Sequence, residues 1–200
     1  MNLAKGQGEL FDQDHYCDDV LSIKERLSFK KELIQTWQKR IYSYQESLLK
    51  SNNKKPLQQS IFFVDEANQI ANQPQFLKLT PFPLNFWRWP QNPHYGPAIY
   101  IVMDRPKGID SHIVLYIGET VASERRWKGE HDCKKYLQAY SEACQMTGLG
   151  IQLSIRFWKD VPKETKPRRK LEQELIREWL PAFNKETRGV WNSPFTNDIN

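Results

Sequence analysis

The sequence predicts a small α/β domain of the α+β type, in which helices flank a three-stranded, mainly antiparallel sheet and an N-terminal helical extension precedes them. Three observations support this fold class. Two apolar, largely β-branched runs, 99–103 and 113–117, enclose a segment dense in turn residues. Residues 20–48 carry an apolar stripe of helical period. After the hairpin the patterns follow in the order helix, helix, strand, helix.

Composition indicates an ordinary soluble protein. The chain has 200 residues and a formal net charge of +5, which permits an anionic partner without requiring one. No apolar run approaches the roughly 18 residues of a membrane span, and the N-terminus lacks the apolar core of a signal peptide. Three cysteines without Cys-x-x-Cys spacing indicate neither a zinc cluster nor a disulfide framework. We therefore expect a cytoplasmic protein that does not enter membranes.

Residues 1–19 are predicted to form a mobile tail, because they are polar, hold five acids against one lysine and show no periodicity. Residues 20–73 are predicted to form a helical hairpin. Pro56 suits the start of its second helix, and the stripe of the first helix repeats every seven residues at Val20, Leu27, Ile34, Ile41 and Leu48. Lys30 interrupts this stripe, which favours the hairpin over a homodimer through residues 20–50. The homodimer is retained as the alternative.

Residues 74–95 combine many prolines with many aromatic side chains. The prolines argue against a regular helix or central strand, and the aromatic residues argue against a disordered linker. We expect an extended arm that packs onto the domain formed by residues 96–200. An alternative is that the aromatic residues stack on unpaired bases while Arg88 contacts the backbone of a nucleic acid.

The remaining elements are predicted from local signals. Ser123 is a candidate N-cap for the first helix after the hairpin, and Gly148 is the predicted end of the second. Pro167 suits the start of the last helix, which we expect to end near Leu180, before Pro181. Between them, alternation predicts a third strand at Ile151, Leu153, Ile155 and Phe157.

The hairpin carries two tyrosines. Tyr100 shares a strand face with Val102, and Tyr116 shares one with Val114. If these faces match across the pair, both phenols emerge on the same side of the sheet, where their hydroxyl groups could reach a ligand. Tyrosine is also a favoured strand residue, so packing alone is an alternative explanation.

Glu172 is the unusual carboxylate of the last helix. At ~100° per residue, it falls inside the apolar arc of Leu171, Leu175, Ile176 and Trp179, whereas Glu174 points away from that arc. A carboxylate on a core-facing side is costly unless it is paired or binds a metal ion. An ion pair with Arg126 or another basic residue is therefore as reasonable as a metal site.

Several short motifs resemble those of the GIY-YIG nuclease family, which includes the incision nuclease of bacterial excision repair and homing and restriction endonucleases. They stand in order over about residues 96–195 as Ala98-Ile99-Tyr100, Tyr116-Ile117-Gly118, Arg126, Glu172, Leu175-Ile176, Pro181 and Asn184. Two positions depart from the family pattern. Ala98 replaces the usual glycine, and Glu130 stands where the family often has histidine, so that a role for the neighbouring His131 stays open.

The resemblance implies a set of roles. Glu172 would hold one Mg²⁺ or Mn²⁺ ion, which a single carboxylate with waters and phosphate oxygens suits. Arg126 would stabilise charge on the phosphate, Tyr100 would act as or position the base, and Tyr116 would orient water or phosphate. Asn184 would complete the site or brace it. A phenol of pKa ~10 is a poor base at neutral pH unless a nearby cation lowers that pKa.

A basic cluster precedes the helix of Glu172. Residues 159–170 hold six basic residues and two acids, which suits contact with a phosphate backbone, although each member is equally well explained as a solvated surface residue. We predict that substrate is bound by Gly118, Lys166, Arg168, Arg169 and Lys170. The function that follows is a metal-dependent endonuclease acting on DNA. The alternative is a non-catalytic nucleic-acid-binding or assembly protein that keeps the fold.

Overall fold

The computed structural model describes residues 13–54, 75–85, 96–122 and 132–195. The predicted α+β class, with a three-stranded antiparallel sheet and an N-terminal helix, is confirmed. A 3-10 turn lies at Phe76–Lys78. The helices and strands are α1 (Gln13–Lys54), β1 (Ala98–Asp104), β2 (Ile113–Thr120), α2 (Asp132–Met146), β3 (Ser154–Trp158), α3 (Thr165–Trp179) and α4 (Arg188–Trp191).

The sheet has the order β2-β1-β3, with both pairs antiparallel. Every residue of the central strand β1 is buried. Tyr100 lies opposite Gly118 on one side and Phe157 on the other, and Val102 lies opposite Tyr116. The register shifts by one residue between Val102 and Met103, as expected of a β-bulge.

Helices cover both faces of the sheet. Alternate residues of β1 divide between two apolar clusters, because side chains alternate across a strand. Tyr100 and Val102 face α2 and the middle of α1. Ile99 and Ile101 face α3, which buries the four apolar residues of the predicted arc, namely Leu171, Leu175, Ile176 and Trp179. The core therefore consists of two layers separated by the sheet.

Helix α1 differs from the prediction at both ends. It begins at Gln13, within the segment 1–19 that was predicted to be a tail, and it runs to Lys54. The C-terminal half of the stripe packs against the sheet and α2, with Ile34, Trp37 and Ile41 buried there. The predicted second helix of the hairpin lies outside the described residues. Among the described residues, the sheet and α2 bury this part of the stripe.

Residues 75–85, which belong to the predicted arm, contact the far edge of the sheet. Phe82 and Ile155 of β3 exchange two backbone hydrogen bonds of 2.8 Å. The buried guanidinium of Arg156 donates to the carbonyl oxygens of Phe76, Leu77 and Leu79 at 2.9–3.3 Å. The Phe76 carbonyl also accepts the Leu79 N–H at 3.3 Å, so the guanidinium group binds the carbonyl end of the 3-10 turn.

The ends of α2 and α3 follow their sequence signals closely. Gly148 adopts a left-handed conformation with φ of 65°, and the Leu149 N–H donates to the Cys144 carbonyl at 2.8 Å, which closes α2 in a Schellman motif. Helix α3 begins at Thr165, two residues before Pro167. Pro167 is tolerated there because the first turn of a helix needs no intrahelical N–H donors.

The outer edge of β2 is covered by groups from two other segments, α1 and the residues that follow α3. Gln45 of α1 accepts a hydrogen bond from the Val114 N–H at 2.7 Å and donates to the Val114 carbonyl at 3.1 Å. The same amide donates to the carbonyl of Trp179, at the end of α3, at 3.0 Å. The Phe183 N–H donates to the Leu115 carbonyl at 2.8 Å. The edge strand is thereby held to α1 and α3 without a fourth strand.

Candidate functional site

The two tyrosines of the hairpin lie together, as the alternation of the strands predicts. Their rings stack with centroids 5.9 Å apart and an interplanar angle of 21°. Tyr100 is fully buried, whereas Tyr116 is half-buried. The strand register places Gly118 directly opposite Tyr100. The rings therefore occupy the same face of the sheet, above the end of β2.

Gly118 makes this arrangement possible. A Cβ atom at this position would lie 2.4 Å from both Cζ and Oη of Tyr100 and 2.8 Å from Cε1 of Tyr116. Both distances are far below ordinary van der Waals contact. The contribution of Gly118 to the site is therefore to leave space for the two phenol rings.

Glu172 lies at the edge of β2 on the second turn of α3. Its Oε1 atom accepts a hydrogen bond from the backbone N–H of Glu119 at 2.9 Å. Within the described residues it forms no ion pair, and Arg126, its predicted alternative partner, lies outside them. Burial raises the pKa of the Glu172 carboxyl group to about 7, and the neighbouring carboxylates of Glu119 and Glu186 act in the same direction. The Glu119 N–H and Arg169 oppose this shift.

Arg168 is not available to substrate, which corrects its predicted role. Its side chain is fully buried, and its Nε atom pairs with Oε2 of Glu119 at 2.8 Å. The Nη1 atom donates to the carbonyl groups of three loop residues, Pro162, Lys163 and Glu164, at 2.8–3.3 Å. The guanidinium group is thus occupied by the protein itself.

The other predicted basic residues are accessible. Arg169 is 68% exposed, although its Nε atom lies 3.2 Å from Oε1 of Glu119. Lys166 and Lys170 are exposed on the first half of α3. Three of the four predicted basic contacts therefore lie on the surface just before Glu172 in the helix.

Asn184 is a brace within the protein. It is buried, its Oδ1 atom accepts the Ile117 N–H at 3.0 Å, and its Nδ2 atom donates to the Ile117 carbonyl at 2.8 Å. The segment after α3 is therefore fixed to the strand that carries Tyr116 and Gly118. Of the two predicted roles of Asn184, bracing is the one that these bonds perform.

The donor set around Glu172 fits a weakly held hard cation. The described part of the chain contains no group of three or more metal-ligating side chains. Oε2 of Glu172 has no hydrogen-bond partner among the described residues, and burial without an ion pair leaves its negative charge poorly compensated. One carboxylate combined with waters and phosphate oxygens is a common site for Mg²⁺.

Glu119 is a residue of the site that the sequence did not predict. It joins the site through both its backbone and its side chain, since its N–H holds Glu172 and its carboxylate holds Arg168 and Arg169. The available signal was its place directly after Gly118, where an acid follows the apolar run 113–117. His131 and Arg126 lie outside the described residues.

The chain matches no protein-family model, no curated protein and no solved structure to which it was compared. Among the residues that the structure describes, no helix has the length and apolar character needed to cross a membrane. The two tyrosines lie on the face of the sheet that α1 and α2 cover, whereas α3, which carries Glu172, packs on the other face. Support for a function therefore comes from Glu172 and its contact with Glu119 at the end of β2.

Proposed function

We propose that the protein is a GIY-YIG-type, metal-dependent endonuclease of the cytoplasm that hydrolyses phosphodiester bonds in DNA. The observation that carries this proposal is the Glu172 carboxylate, which is partly buried and poorly compensated at the edge of the strand bearing Tyr116 and Gly118. A bound cation would remove the cost of this buried charge. The order of the sequence motifs supports the same conclusion.

Glu172 would hold Mg²⁺ or Mn²⁺ through Oε2, while the Glu119 N–H keeps Oε1 in place. Such an ion supplies charge stabilisation for the phosphate and activates water. Because Tyr116 is more exposed than Tyr100, we assign to Tyr116 the contact with the attacking water or the phosphate. Tyr100 would position that ring by stacking on it. Arg126 would stabilise the charge that develops on the phosphate.

The DNA backbone would lie along the first half of α3. Lys166, Arg169 and Lys170 are exposed there and precede Glu172 by two to six residues. Exposed lysine and arginine side chains bind phosphates largely through release of counterions, so they give affinity without sequence preference. Arg168 is excluded from this role by its burial.

The test is cleavage of a panel of DNA structures, comprising plasmid, single strand, flap, bubble and four-way junction, with Mg²⁺, with Mn²⁺ and with chelator. Glu172→Gln keeps the shape of the side chain and removes its charge. Glu174→Gln is the matched control, because this glutamate lies on the same helix and has no contact with Glu119. We expect metal-dependent cutting by the wild type and the control and its loss in Glu172→Gln. Cutting by Glu172→Gln at the wild-type rate contradicts the proposal.

The rival function is a non-catalytic nucleic-acid-binding or assembly protein. The observation in its favour is the complete burial of Tyr100, because a catalytic base must reach the attacking water. Equal binding of DNA with and without metal, combined with no cleavage of any structure in the panel, would support this rival.

A further inference from the structure

We infer that Glu119 and Arg168 act as a positioning pair that fixes where the Glu172 carboxylate stands relative to β2. The inference rests on the proposed function, since it assigns Glu172 to the metal. It extends that function to Glu119 and Arg168, neither of which would contact the metal ion or the DNA. It also replaces the predicted contact of Arg168 with DNA.

The first support is that Glu119 contacts α3 at two successive turns. Its side chain pairs with Arg168 through Oε2 at 2.8 Å, and its backbone N–H donates to Glu172 at 2.9 Å. Residues four apart in a helix lie on the same face. Glu119 thus fixes both the rotation of α3 about its axis and its position along that axis at Glu172.

The second support is the way in which the guanidinium of Arg168 is used. Besides Glu119, it binds three consecutive carbonyl groups of the loop that enters α3 and lies 3.4 Å from Oγ1 of Thr165. A planar guanidinium offers five donors in a fixed geometry, and lysine cannot reproduce this set. Arg168 therefore connects the loop, the first turn of α3 and the end of β2.

The third support is the contrast between the two arginines that share Glu119. Arg168 has no exposed side-chain surface, whereas Arg169 is 68% exposed and forms only the longer contact of 3.2 Å. An exposed ion pair contributes little, because water screens it. The buried pair is the one that sets geometry. Arg177, which is exposed on the same helix, serves as the control.

The first experiment uses the metal-free protein. Amide hydrogen exchange is measured at residue 119, whose N–H is held by Glu172, and at Ile117, whose N–H is held by Asn184 on the same strand edge. In Arg168→Lys and in Glu119→Gln we expect exchange at residue 119 to accelerate at least ~10-fold. Exchange at Ile117 should stay within about twofold. A general loss of structure would accelerate both amides together.

The second experiment measures Mn²⁺ binding by titration, with Glu172→Gln defining the signal of the site. Loss of a residue that orients a metal ligand typically lowers metal affinity about 10- to 100-fold. We expect that loss in Arg168→Lys and Glu119→Gln. Arg177→Gln, at an exposed arginine of the same helix, should bind Mn²⁺ within about twofold of the wild type.

The outcomes are separable. If Arg168→Lys fails to fold, Glu119→Gln decides, because it keeps the backbone donor and the size of the side chain. Unchanged exchange at residue 119 together with unchanged Mn²⁺ affinity in Glu119→Gln overturns the positioning role. Equal Mn²⁺ binding by the wild type and Glu172→Gln overturns the proposed metal site, and with it this inference, even if exchange at residue 119 responds as expected.

Discussion

The side-chain amide of Asn184 forms both hydrogen bonds of a strand partner with Ile117, at 3.0 Å to its N–H and 2.8 Å to its carbonyl group. Gln45 makes the same paired contact with Val114. An unpaired strand edge exposes donors and acceptors that would otherwise recruit another strand. Side-chain amides from two distant segments close the edge of β2 here, and they hold in place the strand that carries the candidate site.

Replacing Asn184 with alanine is expected to lower the free energy of unfolding by about 2–4 kcal/mol, because it leaves two buried backbone groups of Ile117 without partners. Urea denaturation measures this change. Gln138→Ala, on the exposed face of α2, is the control and should cost no more than about 0.5 kcal/mol. Cleavage per folded molecule should stay within about tenfold of the wild type. A complete loss of cleavage in folded Asn184→Ala would instead indicate a direct role in the site.

The second prediction concerns stability and pH at Glu172. Its folded-state pKa, about 7, exceeds the ordinary value of 4.5, so the folded protein binds this proton more tightly than the unfolded chain. The resulting stability is fully present below pH ~4.5 and is lost as pH rises through about 7. Glu172→Gln should therefore stabilise the metal-free protein at pH 8, by up to about 3 kcal/mol.

The measurement for Glu172→Gln is urea denaturation at pH 4.5 and pH 8 in the presence of chelator. The gain should be close to zero at the lower pH, and excess Mg²⁺ at pH 8 should reduce the difference by stabilising the wild type alone. Glu174→Gln is the control that should show neither effect. A gain of equal size at both pH values would show that ionisation of Glu172 is not its cause.

Gly118→Ala tests the space beneath the two tyrosines. Its Cβ atom would stand 2.4 Å from the Tyr100 ring, so either the rings or the strand must move, which we expect to cost about 1–3 kcal/mol. The cleavage rate should fall by more than the loss of folded protein explains, because Tyr116 is displaced. Gly189→Ala is the control, since no atom lies within 4 Å of its added Cβ. Wild-type cleavage and stability in Gly118→Ala would contradict the described packing.

Removing one exposed basic charge tests the predicted path of DNA. Lys166→Ala should weaken DNA binding for all sequences alike and reduce the slope of log K against log salt by about 1. Binding is measured in chelator over a range of salt concentrations, so that cleavage does not interfere. Lys135→Ala, an exposed lysine on α2, is the control and should leave the slope unchanged. An unchanged slope in Lys166→Ala would place the DNA elsewhere.

The predicted homodimer through residues 20–50 is restricted by the fold. Ile34, Trp37 and Ile41 are buried within their own chain, whereas Phe29 and Leu33 are 63% and 41% exposed. Phe29 and Leu33 are thus the exposed apolar pair that a dimer through α1 would bury, so the double variant with Phe29→Glu and Leu33→Glu should sediment as a monomer where the wild type sediments as a dimer. Val190→Glu, at a site 55% exposed on α4, is the control. A wild-type monomer at high concentration rules out this dimer.

Much of the fold could be predicted from local patterns. The alternation of β1 and β2, the end of α2 at Gly148 and the apolar arc of α3 are properties of short segments, and period and turn chemistry reveal them. The same patterns identified Glu172 as a carboxylate on a core-facing side. Its partly buried position in the structure agrees with that geometry.

The partners of these segments could not be predicted in the same way. An apolar stripe indicates that one side of α1 is buried, but it does not identify the surface against which α1 packs. In the structure, that surface is formed by the sheet and α2. Likewise, the sequence alone does not distinguish the role of Arg168 from that of Arg169, because both belong to the same basic cluster. Only the approach of Glu119 from β2 makes one a buried brace and the other a surface charge.

The sequence by itself determined the three strands, α2, α3 and their order, and it identified Glu172 as a side chain with unusual chemistry, because these depend on neighbours a few residues apart. The tertiary structure decided which of those side chains remain available to a metal ion or a phosphate. That outcome depends on contacts between residues 50 to 70 positions apart, such as Glu119 with Arg169 and Asn184 with Ile117. Local sequence cannot specify such contacts, since burial and hydrogen bonding are set by the packed fold as a whole.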